Sequence, residues 1–503
     1  MSAIHPLGFL SSQSRTASGN YGLRDIIMAL QWIQNNIYAF SGDSNRITLM
    51  GHGSGAAAVS LLVTSPLTKG LFHKAILQSG TALCSWSVQE NARQALRNLS
   101  AQVGCSTNEC DDNIMSCLRK QSAELMFFPV LFAPVVDGDF IPNPVLPASP
   151  DEIYRSKEYN YVPMMVGETT HEALQLTFDA NSVDGNVYSD LLVSDLLKSL
   201  MDDGRIVDDV WESVKETYFR DVEFSRAVEV VPPFVEGCQF RIFLGDITVS
   251  SCVDQLLRAH VKSPIYYYVY GFRKYTSAER TFLYKTEKLL HTATDTDLRS
   301  YFQGAAFHGD DLSQLFTLRG SGNFPPPPPI TDFNFTASML CLFTSFITLD
   351  DFSQLDSWNC RNPFDTIDHL FFVSRNGTTD KFRLPGLQTA EWPPFDRVKQ
   401  RYLHLNSAFS LRTKYRHREK AVLENLLRVS ERTLELRSEI VSAKEPYFTV
   451  MWIMVVVCAV LLLAVICLLV GRLRTCGNRM MSYVREFQLR EVKEVVSEEV
   501  THG

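Results

Sequence analysis

The stretch from Gly51 to Gly55 reads Gly-His-Gly-Ser-Gly. It resembles the G-x-S-x-G motif, in which a strand runs into a sharp turn and a helix so that the central serine can attack a carbonyl carbon. Here the central position is Gly53, and glycine has no atom that can act as a nucleophile. The covalent step of ester hydrolysis therefore has no agent at this position.

Ser54 offers a hydroxyl one position later and is the alternative nucleophile. In that register the motif would need a glycine at position 52, where the chain has His52. One step along a turn that enters a helix also swings a side chain by about 100°. We therefore interpret Ser54 as a small residue near a helix N-terminus, where its hydroxyl can bond a free backbone N–H.

The elements around this motif alternate between apolar strand-like runs and helical patterns as far as about Tyr270, which indicates a mostly parallel sheet wrapped by helices. The predicted strands include Arg46–Met50, Lys74–Gln78, Met164–Gly167 and Ile265–Tyr270. The predicted helices include Tyr21–Phe40, Ser87–Val103 and Asp190–Tyr218. The segment from Cys341 to Gly386 has no clear periodicity and is interpreted as an elaborated loop region.

The composition is typical of a large globular domain, because 45% of the 503 residues are apolar and 21% are charged. The net charge of −8, without a basic stripe or an RNA-binding motif, argues against a nucleic-acid partner. There is no paired C-x-x-C motif either. The sequence predicts no metal and no cofactor for the domain itself.

The segment from Phe448 to Val470 is apolar and uncharged, and at about 1.5 Å per residue it is long enough to cross a hydrocarbon core of about 30 Å. It is therefore predicted to be a transmembrane helix. The excess of arginine after it places residues 471–503 in the cytoplasm and the large domain outside the cell. Cys476 lies just inside the membrane in this topology and is a candidate palmitoylation site.

Cysteines and glycosylation motifs fit an extracellular domain. Sequons begin at Asn98, Asn334 and Asn376. Eight cysteines precede the predicted membrane span, at positions 84, 105, 110, 117, 238, 252, 341 and 360. An extracellular domain also needs a signal peptide, and the residues after Met1 do not resemble one.

From Arg412 to Val441 the pattern is helical, with a seam of Val422, Leu426, Val429, Thr433, Leu436 and Ile440 at alternating four- and three-residue steps. Such a seam is explained either by packing on its own domain or by self-association. The sequence leaves both alternatives open.

Several motifs in order resemble the cholinesterase and carboxylesterase superfamily over about residues 6–430, with a weaker stretch near 320–390. They are Pro6-Leu-Gly-Phe-Leu-Ser-Ser, Gly19-Asn-Tyr-Gly-Leu-Arg-Asp, Trp32-Ile-Gln-Asn-Asn-Ile, Gly70-Leu-Phe-His-Lys-Ala-Ile-Leu-Gln-Ser-Gly and Ala133-Pro-Val-Val-Asp-Gly-Asp. Within it the chain is most similar to neuroligins and related adhesion molecules, whose elbow also carries a glycine. The resemblance implies an α/β-hydrolase fold.

The resemblance also assigns the other two positions of a catalytic triad. Glu172, in Gly167-Glu-Thr-Thr-His-Glu, corresponds to the acid, and His308, in Gly304-Ala-Ala-Phe-His, corresponds to the base. Without a nucleophile the pair is interpreted as a buried, hydrogen-bonded structural dyad. The positions Gly53, Glu172 and His308 are thus expected to form a vestigial triad.

For the cysteines, the resemblance implies a small-loop disulfide between Cys105 and Cys117. Cys252 resembles a bridged position whose expected partner region lacks a cysteine here. The pairing among Cys238, Cys252, Cys341 and Cys360 stays open, because four cysteines allow three connectivities. The resemblance further implies that the first strands of the family domain, and the loop that completes its oxyanion hole, fall before Met1.

We therefore expect four parts: a carboxylesterase-like ectodomain (1–430) that lacks the first strands of the family domain, a juxtamembrane helical stalk (431–447), a transmembrane helix (448–470) and a cytoplasmic tail (471–503). The expected function is cell–cell adhesion at a synapse or junction by a catalytically inactive, single-pass plasma-membrane protein. The resemblance implies a neurexin-like receptor as partner, calcium as a candidate ion at that interface, and a homodimer through a C-terminal helix spanning Arg412–Val429. The alternatives are a membrane-tethered carboxylesterase and a non-catalytic hydrolase-like domain used in protein folding or transport.

Overall fold

The computed structural model of the chain describes residues 6–126, 132–138, 141–174, 213–214, 216–218, 242–272, 306, 308–316, 330–349, 392–426, 481 and 485. Among these residues the chain forms one sheet of six strands whose order in space follows their order in sequence. The strands are β1 (Thr48–His52), β2 (Lys74–Gln78), β3 (Met164–Thr169), β4 (Ile265–Tyr270), β5 (Arg401–Leu405) and β6 (Ser410–Thr413). Strands β1 to β5 run parallel, and β6 pairs antiparallel with β5.

Helices connect most of these strands, as parallel strands require. They are α1 (Pro6–Phe9), α2 (Tyr21–Asn36), α3 (Ser54–Thr64), α4 (Ala92–Gln102), α5 (Asp111–Leu118), α6 (Pro150–Ser156), α7 (Ser251–Ala259), α8 (Leu312–Leu315), α9 (Ile330–Thr348) and α10 (residues 417–426). Short 3₁₀ turns lie at Ile37–Phe40, Pro66–Thr68, Ala123–Met126 and Glu172–Leu174, and a π-helical turn lies at Asp246–Ser250. The α/β-hydrolase-like prediction of a mostly parallel sheet wrapped by helices is confirmed.

The sheet is buried on both faces, because successive side chains of a strand point to opposite sides. On β4, Tyr267 packs into a large cluster with α3 and α7, whereas Tyr268 packs into a second cluster with α9. Every residue of β3 and of β4 is buried. This explains the apolar runs Met164–Val166 and Ile265–Tyr270 in the sequence.

The four predicted strands correspond to β1, β2, β3 and β4, and two of them differ from the structure at their ends. Lys74–Gln78 and Ile265–Tyr270 match β2 and β4. The first strand begins two residues late because residues 43–46 form a tight turn, in which Asn45 N donates to Asp43 Oδ1 at 2.8 Å. It ends at His52 because His52 still pairs with Gln78 in the ladder. Similarly, β3 extends two residues beyond the prediction, to Thr169.

The predicted helices that lie among the described residues also differ from the structure mainly at their ends. Tyr21–Phe40 is confirmed as α2 followed by a 3₁₀ turn. The helix predicted from Ser87 begins only at Ala92. The residues before it are held in a loop by tertiary bonds, since Gln89 N donates to Pro134 O at 2.7 Å. Most of the predicted helix Asp190–Tyr218 lies outside the described residues.

Two interpretations of the second half of the chain are wrong. The loop region predicted for Cys341–Gly386 is wrong for its first eight residues, which belong to α9; this helix is apolar on most sides and packs against β4, so its sequence shows no clear periodicity. Residues 350–386 lie outside the described residues. The helix predicted from Arg412 begins at residue 417, because Arg412 pairs with Tyr402 in the β5–β6 ladder. The expected dimer helix Arg412–Val429 therefore cannot start at Arg412.

Two buried ion pairs fix the start of α10, one to strand β3 and one to the π-helical turn at Asp246–Ser250. Lys420 Nζ lies 3.2 Å from Glu168 Oε1, and both side chains are almost fully buried. Four residues earlier, Arg416 pairs with the buried carboxylate of Asp246. The first turn of α10 is thus an integral part of the unit Met1–Leu426.

The chain divides into two units, Met1–Leu426 and Leu427–Gly503. The predicted stalk (431–447) and span (448–470) lie outside the described residues, as does nearly all of the predicted tail. Within the described part of the chain, no helix combines the length and apolar character needed to cross a membrane.

Candidate functional site

The elbow between β1 and α3 has a backbone conformation that favours glycine. Gly53 has φ 55° and ψ −121°, and its N–H donates to Gln78 O at 2.8 Å. The turn is so tight that a Cβ on Gly51 would lie 2.3 Å from Gly55 O. The strand, turn and helix therefore form the shape that presents a nucleophile, with Gly53 at its apex and Ser54 as the first residue of α3.

His308 and Glu172 form a close pair beside this elbow. Nδ1 of His308 lies 2.6 Å from Oε2 of Glu172, whose carboxylate also accepts bonds from Ser79 Oγ (2.7 Å) and Thr169 N (2.6 Å). The Glu172 side chain is 1% exposed and that of His308 is 33% exposed. The carboxylate is thus fixed from three sides, while one side of the imidazole stays open to solvent.

The free ring nitrogen of His308 faces the elbow. A Cβ on Gly53 would lie 3.0 Å from His308 Nε2. The tertiary structure therefore brings together the three residues that the sequence assigned to a vestigial triad, although they are far apart in the chain. A base and its orienting acid point at a position that carries no side chain.

The charges of the pair stabilise one another. Burial alone would raise the pKa of Glu172, but the hydrogen bond and the charge of His308 outweigh it and lower that pKa. Burial would lower the pKa of His308, but its hydrogen bond to Glu172 raises it. A histidine held by a carboxylate in this way has the geometry of a general base, but Gly53 supplies no nucleophile for it to activate.

The comparisons with known proteins decide the family. The carboxylesterase family matches residues 4–423. The chain belongs to this family. Neuroligin-2 from Rattus norvegicus is 30% identical over 427 residues, which is 82% of this chain and 45% of that protein. Neuroligin-3 from Mus musculus is 28% identical over 438 residues, or 84% of this chain and 47% of that protein.

A bile salt-activated lipase from Rattus norvegicus is 40% identical over a shorter stretch of 154 residues, which is 28% of this chain and 25% of that protein. The chain spans about half the length of the neuroligins that it matches. The chain is therefore a neuroligin-like member of the carboxylesterase family, as the sequence motifs indicated.

Sequence reasoning used His52 only to exclude a shifted motif, but the structure places it in this carboxylesterase-family site. Its ring lies 4.3 Å from the ring of His308, centroid to centroid. Burial and the neighbouring His308 lower the pKa of His52 to about 4, so it is neutral at physiological pH. Among the described residues its Nε2 atom is buried without a hydrogen-bond partner. Its place within the elbow motif was the signal that could have revealed it.

A second polar group behind the dyad was also missed. Asp311 Oδ2 accepts bonds from Gln78 Nε2 (2.6 Å) and Tyr268 OH (3.1 Å), and Asp311 is fully buried. Burial, with the nearby charge of Glu172, raises the pKa of Asp311 to about 6. Its position three residues after His308 was the only sequence signal. These bonds link the segment around His308 to the last residue of β2 and to the middle of β4.

Disulfides brace the same region. Cys84, which follows β2, is bonded to Cys252 at the start of α7. The sequence left the partner of Cys252 open among cysteines that did not include Cys84, so that set of alternatives was wrong. Cys341 is also disulfide-bonded, and Cys238 and Cys360 lie outside the described residues. The structure joins Cys105 to Cys117, and Cys110 between them is free and exposed.

The remaining predicted sites are spread over the surface or lie outside the described residues. Asn98 is exposed on α4. Asn334 belongs to α9, but its side chain is not described. Asn376 and Cys476 lie outside the described residues.

Proposed function

We propose that this chain is a catalytically inactive, neuroligin-like membrane protein whose ectodomain mediates cell–cell adhesion. The observation that carries the proposal is the elbow itself, where Gly53 faces His308 Nε2 and supplies no nucleophile. A triad that lacks one member retains only the residual catalysis of binding and oxyanion stabilisation, roughly 10³–10⁴ over water. The similarity to neuroligins supports adhesion as the use of the fold.

The proposal places the protein in the plasma membrane with residues 1–430 outside, held by the apolar segment Phe448–Val470 and followed by a cytoplasmic tail. We include glycans at Asn98, Asn334 and Asn376, and palmitoylation of Cys476, as parts of this topology. The partner would be a neurexin-like receptor, with calcium as a candidate ion at the interface. Self-association would use the helical segment that begins at residue 417.

Adhesion is tested by mixing cells that express the full-length protein with cells that display a neurexin-like receptor. We expect mixed aggregates, because the receptor would bridge the two cell surfaces. Addition of EDTA shows whether calcium takes part. The His308→Gln variant is the matched control and should aggregate equally well, since the dyad has no role in adhesion. Failure to bind any cell population would contradict the proposal.

Two observations favour a second candidate, a membrane-tethered esterase. The His308–Glu172 pair is intact, and part of the chain is 40% identical to a lipase. A fluorophosphonate probe, which labels activated serines, separates the two candidates. We expect no labelling of the wild-type protein. Labelling that disappears in the Ser54→Ala variant would favour the esterase and contradict our proposal.

A further inference from the structure

The β5–β6 hairpin gathers cationic side chains at the edge of the sheet. Lys414 N donates to Gln400 O at 2.9 Å, and Arg401 pairs with Thr413. Partnered residues share a face of the hairpin, so Arg401, opposite Thr413, and Arg412, opposite Tyr402, lie on opposite faces near this edge. Lys399 and Lys414 lie just beyond the ends of the paired residues. We call these four cations the basic edge cluster.

This cluster has little compensating charge. Lys399, Arg412 and Lys414 are exposed, and Arg401 is half-buried. Arg401 lies 4.0 Å from Asp396, whereas the other three form no ion pair with any described residue. The chain as a whole carries a net charge of −8, so the cluster is a local reversal of sign. The sequence shows no basic stripe because the members come from two separate segments.

The outer side of β6 offers backbone groups next to these charges. In an antiparallel ladder the N–H groups of alternate residues point to the same side. Since Lys414 N points to β5, Arg412 N and Ser410 N do so as well, and the N–H groups of Leu411 and Thr413 point away from the sheet. No strand among the described residues pairs with this outer side.

Charges on an edge strand have an ordinary structural explanation, because they keep sheets of different molecules from pairing. The same arrangement attracts a strand of opposite charge, whose backbone bonds to the edge while its side chains pair with the cations. The carbonyl groups of Leu411 and Thr413 point to the same outer side, and a polyanion without a peptide backbone has no N–H groups to donate to them. These backbone groups therefore favour a peptide.

We propose that the outer edge of β6 binds an extended acidic segment of a partner protein by strand addition. The carboxylates of that segment pair with Arg412 and Lys414, and its carbonyl groups accept from Leu411 N and Thr413 N. The surface lies at the edge strand β6 and beside the first residue of β5, whereas the elbow follows the last residue of the parallel strand β1. Binding here is therefore independent of the vestigial triad.

The test uses the full-length protein in detergent and a fluorescein-labelled peptide of about ten residues in which glutamate and valine alternate. Fluorescence anisotropy should show saturable binding that weakens as salt is added. The double variant Arg412→Glu, Lys414→Glu should raise Kd about tenfold or more. A peptide with lysine in place of glutamate is the charge control and should not bind.

Proline at position 413 separates strand addition from simple charge attraction. Thr413→Pro removes an outward N–H and leaves the bonds to β5 in place, as edge positions allow. We expect it to raise Kd about tenfold. Thr413→Val keeps the N–H and should bind like the wild type. Equal thermal stability of the two variants shows that the hairpin is intact.

Two results would overturn the proposal. If the acidic peptide does not bind, the cluster only protects the edge. If heparin and the peptide bind equally well, and Thr413→Pro affects neither, the surface is a general polyanion site. Neither result bears on adhesion, which the cell-aggregation experiment tests separately.

Discussion

Nε2 of His308 lies 3.0 Å from the point that a Cβ on Gly53 would occupy. The base is therefore aimed at the place of the missing nucleophile, and it is held there by Glu172. The distance also means that even a methyl group on Gly53 would press against the imidazole. The elbow of this chain is adapted to glycine both in its backbone and in its surroundings.

The first prediction follows from that contact. Gly53→Ala should lower the free energy of unfolding by about 1–3 kcal/mol, because residues with side chains rarely adopt φ 55° and because the Cβ crowds His308. Gly55→Ala is the matched control, since a Cβ there meets nothing within 4 Å and lies in the first turns of α3. Gly55→Ala should raise the free energy of unfolding by about 0.5–1 kcal/mol. Thermal unfolding of both variants measures this difference. Equal changes in the free energy of unfolding would contradict the prediction.

The second prediction concerns the two disulfides. Replacing Cys84 and Cys252 by alanine should destabilise the domain more than replacing Cys105 and Cys117, because the first bridge closes a sequence separation of 168 residues and the second one of 12. Chain entropy gives about 5 and about 3 kcal/mol, respectively. Urea unfolding of the two double variants compares them. If the variant without Cys105 and Cys117 were the less stable of the two, loop entropy would not determine how much each disulfide stabilises the domain.

The third prediction concerns pH. Burial lowers the pKa of His260 to about 4, from 6.5 in an unfolded chain. The unfolded chain therefore binds more protons between these values, so the contribution of His260 to stability is complete above pH 6.5 and is lost as pH falls toward 4. His260→Gln should reduce the loss of stability between pH 7 and pH 5 by about 2 kcal/mol.

The exposed His417 provides the control for this measurement, because it lies at the surface at the start of α10. His417→Gln should keep the pH dependence of the wild type. Unfolding free energies at the two pH values give both results. If His260→Gln has the same pH dependence as His417→Gln, the imidazole of His260 is not the group that titrates.

The fourth prediction concerns the fastening of α10. Lys420→Met should cost about 3–5 kcal/mol, because it leaves the buried carboxylate of Glu168 without its cation. Adding Glu168→Gln to Lys420→Met should recover part of that loss, since no uncompensated charge then remains buried. Lys414→Met, on the exposed hairpin, should change stability by about 0.5 kcal/mol or less. A double variant less stable than Lys420→Met would contradict this account.

Much of the fold could be predicted because its signals are local. Strand β2 contains the apolar run Ala75–Leu77 and β4 is apolar throughout, and such runs can be recognised without knowledge of their neighbours. The short hairpin of β5 and β6 was missed, because four or five residues of mixed polarity resemble a loop until their partner is known. Likewise residues 341–348 of α9 were interpreted as the start of a loop region, since a helix that is mostly apolar gives no helical period.

The sequence by itself determined the family, the elbow and the absence of a nucleophile at Gly53, because these depend on which residues stand at fixed spacings along the chain. Only the tertiary structure decided which distant groups meet. It placed His52 against His308, joined Cys84 to Cys252 and gathered Lys399, Arg401, Arg412 and Lys414 at one edge. Such contacts arise from strand order and register, which are set by burial of the whole sheet and leave no local mark in the sequence.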